Sequence, residues 1–137
     1  MTVWRITDGE GGLESGARAE PRYDIVEHDT ALLRISAASA SPRLRMSGEI
    51  DVSNAPDVAQ ALRAAGDRLP GDLHVDLSGL EFMDVAGLRA FAKAARDLDA
   101  GSRLLVLHSV SPHIDRLFGM IGWAASAGLE IHCRPLR

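Results

Sequence analysis

Few side chains in this chain are of a type and in a place to do chemistry. Asp84 closes the apolar run Leu80 to Met83 and is followed at once by Val85, Ala86, Gly87 and Leu88. A carboxylate therefore stands where a strand pattern gives way to a helical one. Ser111, His113 and Asp115 are the residue types of a hydrolytic triad. Residues so close on one helix point in different directions, however, and no nucleophile elbow surrounds the serine. Ser111 followed by Pro112 reads instead as a helix start, the hydroxyl accepting from an orphan backbone N–H. His28, His74, His108, His113 and His132 show no metal-ligand spacing, and Cys133 stands alone. That excludes an intramolecular disulfide and any clustered zinc site. Gly9 to Gly12 contains a GEGG run, but it does not join a strand to a helix as a phosphate-cradling loop does. Ser78 is explained by turn chemistry. No catalytic residue, metal or cofactor is expected.

Asp84 has a simpler task. Its carboxylate can accept from the N–H of Ala86 or Gly87 and sits at the positive end of the helix macrodipole. One acid thus ends the strand and satisfies the first orphan donors of the helix.

The elements that position this corner follow from periodicity. Residues 31–36 (ALLRIS) read as a strand and 39–43 (SASPR) as a turn. In 44–52 (LRMSGEIDV) Leu44, Met46, Gly48, Ile50 and Val52 alternate with Arg45, Ser47, Glu49 and Asp51, giving one apolar and one polar sheet face. Ser53 or Asn54 can cap the next helix, whose stripe is Val58, Leu62, Ala65 and Leu69, broken by Pro70-Gly71-Asp72. A strand over 73–77 and the run 80–83 lead into Asp84. Leu88, Phe91, Ala92, Ala95 and Leu98 form the next helical stripe. Leu104 to Leu107 is an inner strand. Ile114, Leu117, Phe118 and Ile121 line a third helix that Gly122 can close, and 129–133 (LEIHC) supply a last strand. The order β-β-α-β-α-β-α-β implies parallel neighbours joined by right-handed crossovers. The alternating polarity of several strands places the helices mainly on one face. His74, His108 and His132 fall at polar-face or strand-end positions and read as solvated or structural.

With 137 residues, 46% of them hydrophobic, the chain fits one domain with a single core. Residues 1–30 form an N-terminal segment: 8–22 are rich in Gly and charge, the composition of a tail or linker. Val3 to Ile6 can dock as a short strand anchored by Trp4. The domain proper is 31–137. A net charge of −4 argues against a nucleic-acid surface, and no apolar run is long enough to insert in a membrane. Met1 to Gly12 lacks the layout of an export signal, so a cytoplasmic location is expected.

Two linked stretches, LRMSGEIDVSNA (44–55) and VDLSGLEFMDVAGLRAF (75–91), make the chain from about Ala31 to Cys133 resemble the STAS domains typified by bacterial anti-sigma-factor antagonists. The resemblance implies an α/β fold with a mixed β-sheet of four to five strands and helices packed mainly on one face. It also implies a non-catalytic module whose partner is an anti-sigma factor that is a serine kinase of the histidine-kinase-like ATPase class. In such proteins the second stretch usually ends Asp-Ser-Ser-Gly-Leu, and the partner phosphorylates the second hydroxyl residue to abolish binding. Here Asp84, Gly87 and Leu88 match, while Val85 and Ala86 fill the serine places. Ala86 takes the phosphoacceptor position and has no nucleophile. Asp51 matches the acid near the phosphorylation turn. The resemblance thus implies a partner surface of Glu49, Asp51, Ser53, Asn54, Asp84, Val85, Ala86, Gly87, Leu88 and Arg89, with Lys93 and Arg96 at its edge, although a solvated helix face is the better account of any one of Arg89, Lys93 and Arg96. A structural subunit of an ABC-type lipid-transport complex and a ligand-sensing module are the alternatives; a homodimer is compatible with each.

Overall fold

The computed structural model describes residues 4–7, 22–120 and 128–134, the first four by backbone alone. Its strands are β1 (Trp4–Thr7), β2 (Ile25–Asp29), β3 (Leu33–Ala37), β4 (Arg43–Ile50), β5 (Leu73–Met83), β6 (Leu105–Val110) and β7 (Leu129–Cys133). The helices are α1 (Ala55–Arg68), α2 (Val85–Asp99) and α3 (Pro112–Met120). All strands join one sheet in the order β1-β7-β6-β5-β4-β3-β2. β2, β3 and β4 form an antiparallel meander, and β4, β5, β6, β7 and β1 are parallel.

β4 to β7 are laid down in one direction across the sheet, so right-handed crossovers place α1, α2 and α3 on one face. The expected layering holds. Leu44, Met46, Val75, Leu77, Leu105, Leu107 and Ile131 point into the helical layer and meet Val58, Leu62, Leu88, Phe91, Ile114 and Phe118 in a single core. Aliphatic side chains dominate this core because the sequence offers few aromatic ones.

Among the described residues the sheet has seven strands where four to five were expected. Both additions come from the first 30 residues. β1 pairs in parallel with β7, Trp4 opposite Glu130 and Thr7 opposite Cys133. β2 pairs with β3, Ile25 packs on the core, and Glu27 accepts from Arg68 of α1 at 2.5 Å. The N-terminal segment therefore supplies both edges of the sheet. The tail expected over 8–22 lies outside the described residues except for Arg22, as do Ile121 and Gly122.

Two caps form as the residue types require. Asp84 Oδ1 accepts from Gly87 N at 3.2 Å, and Ser111 Oγ from Ile114 N at 3.2 Å. The start of α1 differs: Asn54 is the N-cap residue without a side-chain cap bond. Its side chain faces back, Oδ1 accepting from Asp51 N at 2.9 Å and Nδ2 donating to the Glu49 carbonyl at 3.0 Å. β4 ends at Ile50, so Val52 does not continue the inward row but projects from the loop, 75% exposed.

Candidate functional site

β4 and β5 run side by side in parallel and end together, with Ile50 paired to Met83 and Asp84 N donating to the Ile50 carbonyl at 3.1 Å. The loop 51–54 and the corner at Asp84 are therefore neighbours on one rim of the domain. Within the loop Asp51 Oδ1 accepts from Ser53 N at 2.9 Å and from Ser53 Oγ at 2.5 Å. Those two donors, the hydroxyl first, hold the Asp51 carboxyl below the usual carboxylate range.

Three large apolar side chains are left in solvent on this rim: Val52, Phe82 at 42% exposed and Val85 at 46%. β5 loses its simple alternation after Leu77: Ser78 and Gly79 are both exposed, as are Glu81 and Phe82, while Leu80 and Met83 are buried. Three exposed apolar side chains on a rim that also carries Glu49, Asp51, Glu81 and Asp84 suit association with another polypeptide.

The sequence-predicted residues divide into two groups. Glu49, Asp51, Ser53, Asp84, Val85, Ala86 and Arg89 are exposed or partly so. Leu88, Gly87 and Asn54 are buried, and they support the rim from behind instead of presenting atoms to a partner. Gly87 shows why: a Cβ there would lie 2.6 Å from Met83 Cγ and 2.7 Å from Ile50 Cγ2, so the first turn of α2 packs directly against the ends of both strands. Of the edge residues, Lys93 pairs with Asp97 at 3.1 Å on the open face of α2, an arrangement worth about 0.3–0.5 kcal/mol. Val52 is the rim residue that periodicity assigned inward; the end of β4 at Ile50 exposes it.

Two features lie away from the rim. A cleft of about 110 Å³ between α1 and α2, lined by Leu62, Arg63, Lys93, Leu98 and Arg103 among others, is smaller than the roughly 300–1,000 Å³ of sites for cofactor-sized ligands. On the sheet face opposite the helices, His74 Nδ1 and His108 Nε2 stand 2.9 Å apart, His108 and His132 have ring centroids 5.0 Å apart, and His132 Nε2 meets Glu130 Oε2 at 2.5 Å. The sequence marked each as a polar-face histidine, but their contact needs the order β5-β6-β7.

The contact between the His74 and His108 nitrogens requires one to accept, which an imidazolium cannot do. Burial, then the charge of Arg43, lower the His74 pKa from its ordinary 6.5. A depressed pKa means the fold prefers the neutral ring. Its contribution to stability is complete above the unfolded value and declines as pH falls through about 6.5 towards the folded value. The midpoint of urea unfolding is expected to drop between about pH 7.5 and about pH 5, and His74→Gln to shrink that drop. An equal drop in wild type and variant would assign the pH dependence to other groups.

The family model described as "Mlab, STAS domain" matches residues 33–130. An anti-sigma-B factor antagonist of Staphylococcus epidermidis is 30% identical over 79 residues, covering 58% of this chain and 73% of that protein. The corresponding antagonist of Staphylococcus aureus is 29% identical over the same length. Among solved structures, an anti-sigma factor antagonist from Mycobacterium paratuberculosis superposes with a TM-score of 0.56 at 26% identity, covering 77% of this chain and 82% of that one. A chain of the complex between the diguanylate cyclase SiaD and its activator SiaC from Pseudomonas aeruginosa superposes with a TM-score of 0.53. At 15% identity that likeness shows a shared fold alone.

Proposed function

The chain belongs to the STAS domain family, and from that premise we propose that it is a non-catalytic anti-sigma-factor antagonist whose rim at 49–54 and 82–89 captures a kinase-type anti-sigma factor. The observation that carries this reading is the exposure of Val52, Phe82 and Val85 around the capped Asp84. A soluble domain gains nothing from holding three large apolar groups in water at one corner; a partner that covers them gains about 25 cal/mol per Å² of apolar surface removed from water. The relatives' description as anti-sigma-B factor antagonists supports an anti-sigma factor as that partner.

In this reading the docking corner has no switch at Ala86. A methyl group cannot accept a phosphoryl group, so the corner stays in its unmodified form whatever the state of the partner. Gel filtration with each purified kinase-type anti-sigma factor of the source genome, held in ADP, is expected to give a complex with one of them. No complex with any would overturn the reading.

Ala86→Ser is the second test. Residue 86 is partly exposed in the first turn of α2, so a serine there costs no more than about 0.5 kcal/mol. With ATP–Mg, phosphate is expected at residue 86 of the variant and not at residues 84–88 of the wild type. A variant that binds and is never modified at 86 would show that more than a hydroxyl is missing.

The same lack of a hydroxyl at Ala86 suits a permanently docked structural subunit, such as the STAS component of an ABC-type lipid-transport complex. Copurification with a transporter ATPase in place of a kinase would favour that reading.

A further inference from the structure

Ala86 removes the hydroxyl from the Asp84 corner, but the rim is not without one. Across residues 49–54 and 82–89, Ser53 is the sole Ser, Thr or Tyr. Its side chain is exposed, and it lies in the loop next to Val52 on the strand end that Asp84 N grips through the Ile50 carbonyl. Any partner seated on Val52, Phe82 and Val85 brings its own groups within reach of Ser53 Oγ. That oxygen already donates to Asp51 Oδ1 at 2.5 Å, so its proton points at a carboxylate and a lone pair is left facing solvent. The loop is held still by the Asn54 bonds to Asp51 N and the Glu49 carbonyl.

We propose that Ser53 is a phosphorylation site for the kinase-type partner, a control placed one loop away from the silent Ala86; this rests on the reading of the rim as that partner's docking surface. Ser53 Oγ attacks the γ-phosphorus of ATP held by the partner. The Oγ–P bond forms, the bond from that phosphorus to the β–γ bridging oxygen breaks, and ADP leaves with the electron pair. The hydroxyl proton passes to Asp51 Oδ1 and on to water. The product carries roughly −1.5 to −2 added charges beside Asp51, Glu49 and Asp84, and it expels the partner by repulsion and by hydrating the apolar cluster. Asp51, now facing a phosphate in place of a donor, loses the hydroxyl bond that holds its own carboxylate.

The full chain, Ser53→Ala and Ala86→Ser are each incubated with the purified kinase-type anti-sigma factors of the source genome and ATP–Mg, and phosphopeptides are located by mass spectrometry. The wild type is expected to gain phosphate at Ser53, Ser53→Ala to gain none in that loop, and the Ser53-phosphorylated protein to bind its partner at least about 10-fold more weakly. Phosphate at residue 86 of Ala86→Ser with Ser53 unmodified in the same protein would overturn the inference while leaving the docking surface intact. So would a stable complex in which neither position is labelled. No complex with any kinase would bring down the docking surface and Ser53 together.

Discussion

Val85→Glu is expected to weaken capture of the partner by at least about 100-fold, or about 2.7 kcal/mol, while leaving the domain as stable as before or slightly more so. The two effects have opposite signs for one physical reason. Val85 is the first residue of α2 and is half in water. In the free protein a carboxylate there faces solvent and the positive end of the helix, which contributes about 0.3–1 kcal/mol in its favour. In the proposed complex the same carboxylate must be stripped of water in an apolar contact shared with the exposed Val52 and Phe82. An unpaired charge in such a place costs several kcal/mol, and central apolar contacts carry most of the energy of an interface. Titration calorimetry for binding and urea unfolding for stability read the two effects separately. Loss of binding with an equal loss of stability would mean the corner is a folding element.

Gly48→Ala is expected to have the largest effect on the fold, about 3 kcal/mol or more, or roughly 10 °C in Tm. Two costs combine. Gly48 has φ +111°, a conformation that L side chains rarely adopt. A Cβ at this position would also fall 2.1 Å from the Leu32 carbonyl oxygen and 3.3 Å from Leu33 Cα. Neither is the end of a flexible side chain. That carbonyl accepts from Glu49 N at 2.9 Å, so the start of β3 must move and the β3–β4 ladder with it. Gly71 supplies the contrast: its φ is +96° with nothing within 4 Å of the added Cβ, and Gly71→Ala carries the backbone strain alone, about 1–2 kcal/mol. Thermal unfolding of both variants checks the difference; equal costs would mean that Leu32 yields without penalty.

Much of the candidate site was legible in the sequence because it is local. The cap at Asp84 and the cap at Ser111 follow from one residue type at a change of hydrophobic period. The three helices follow from apolar stripes of which Val58, Leu62, Ala65, Leu88, Phe91, Ala92, Ala95, Leu98, Ile114 and Phe118 are buried. What the sequence hid is non-local or out of phase. β2 (Ile25–Asp29) reads IVEHD, a short half-exposed edge with a register shift between Val26 and His28, and no alternation survives there to find it. β1 overlaps the short docked strand read over Val3 to Ile6, and what was not legible is its partner, β7 at the other end of the chain. Val52 was assigned inward by extending a period of two past the point where β4 ends, and the apolar run Leu80 to Met83 gave no sign that Phe82 is exposed while Leu80 and Met83 are buried.

The proposed role of the rim is tested most directly by amide hydrogen exchange on the full chain, free and in complex with the proposed kinase-type partner in ADP. Slowed exchange confined to residues 49–54 and 82–89, with the histidine face of β5 to β7 and the α1–α2 cleft unchanged, is the predicted footprint. Protection on the histidine face or in the cleft, with the rim exchanging as in the free protein, would contradict it.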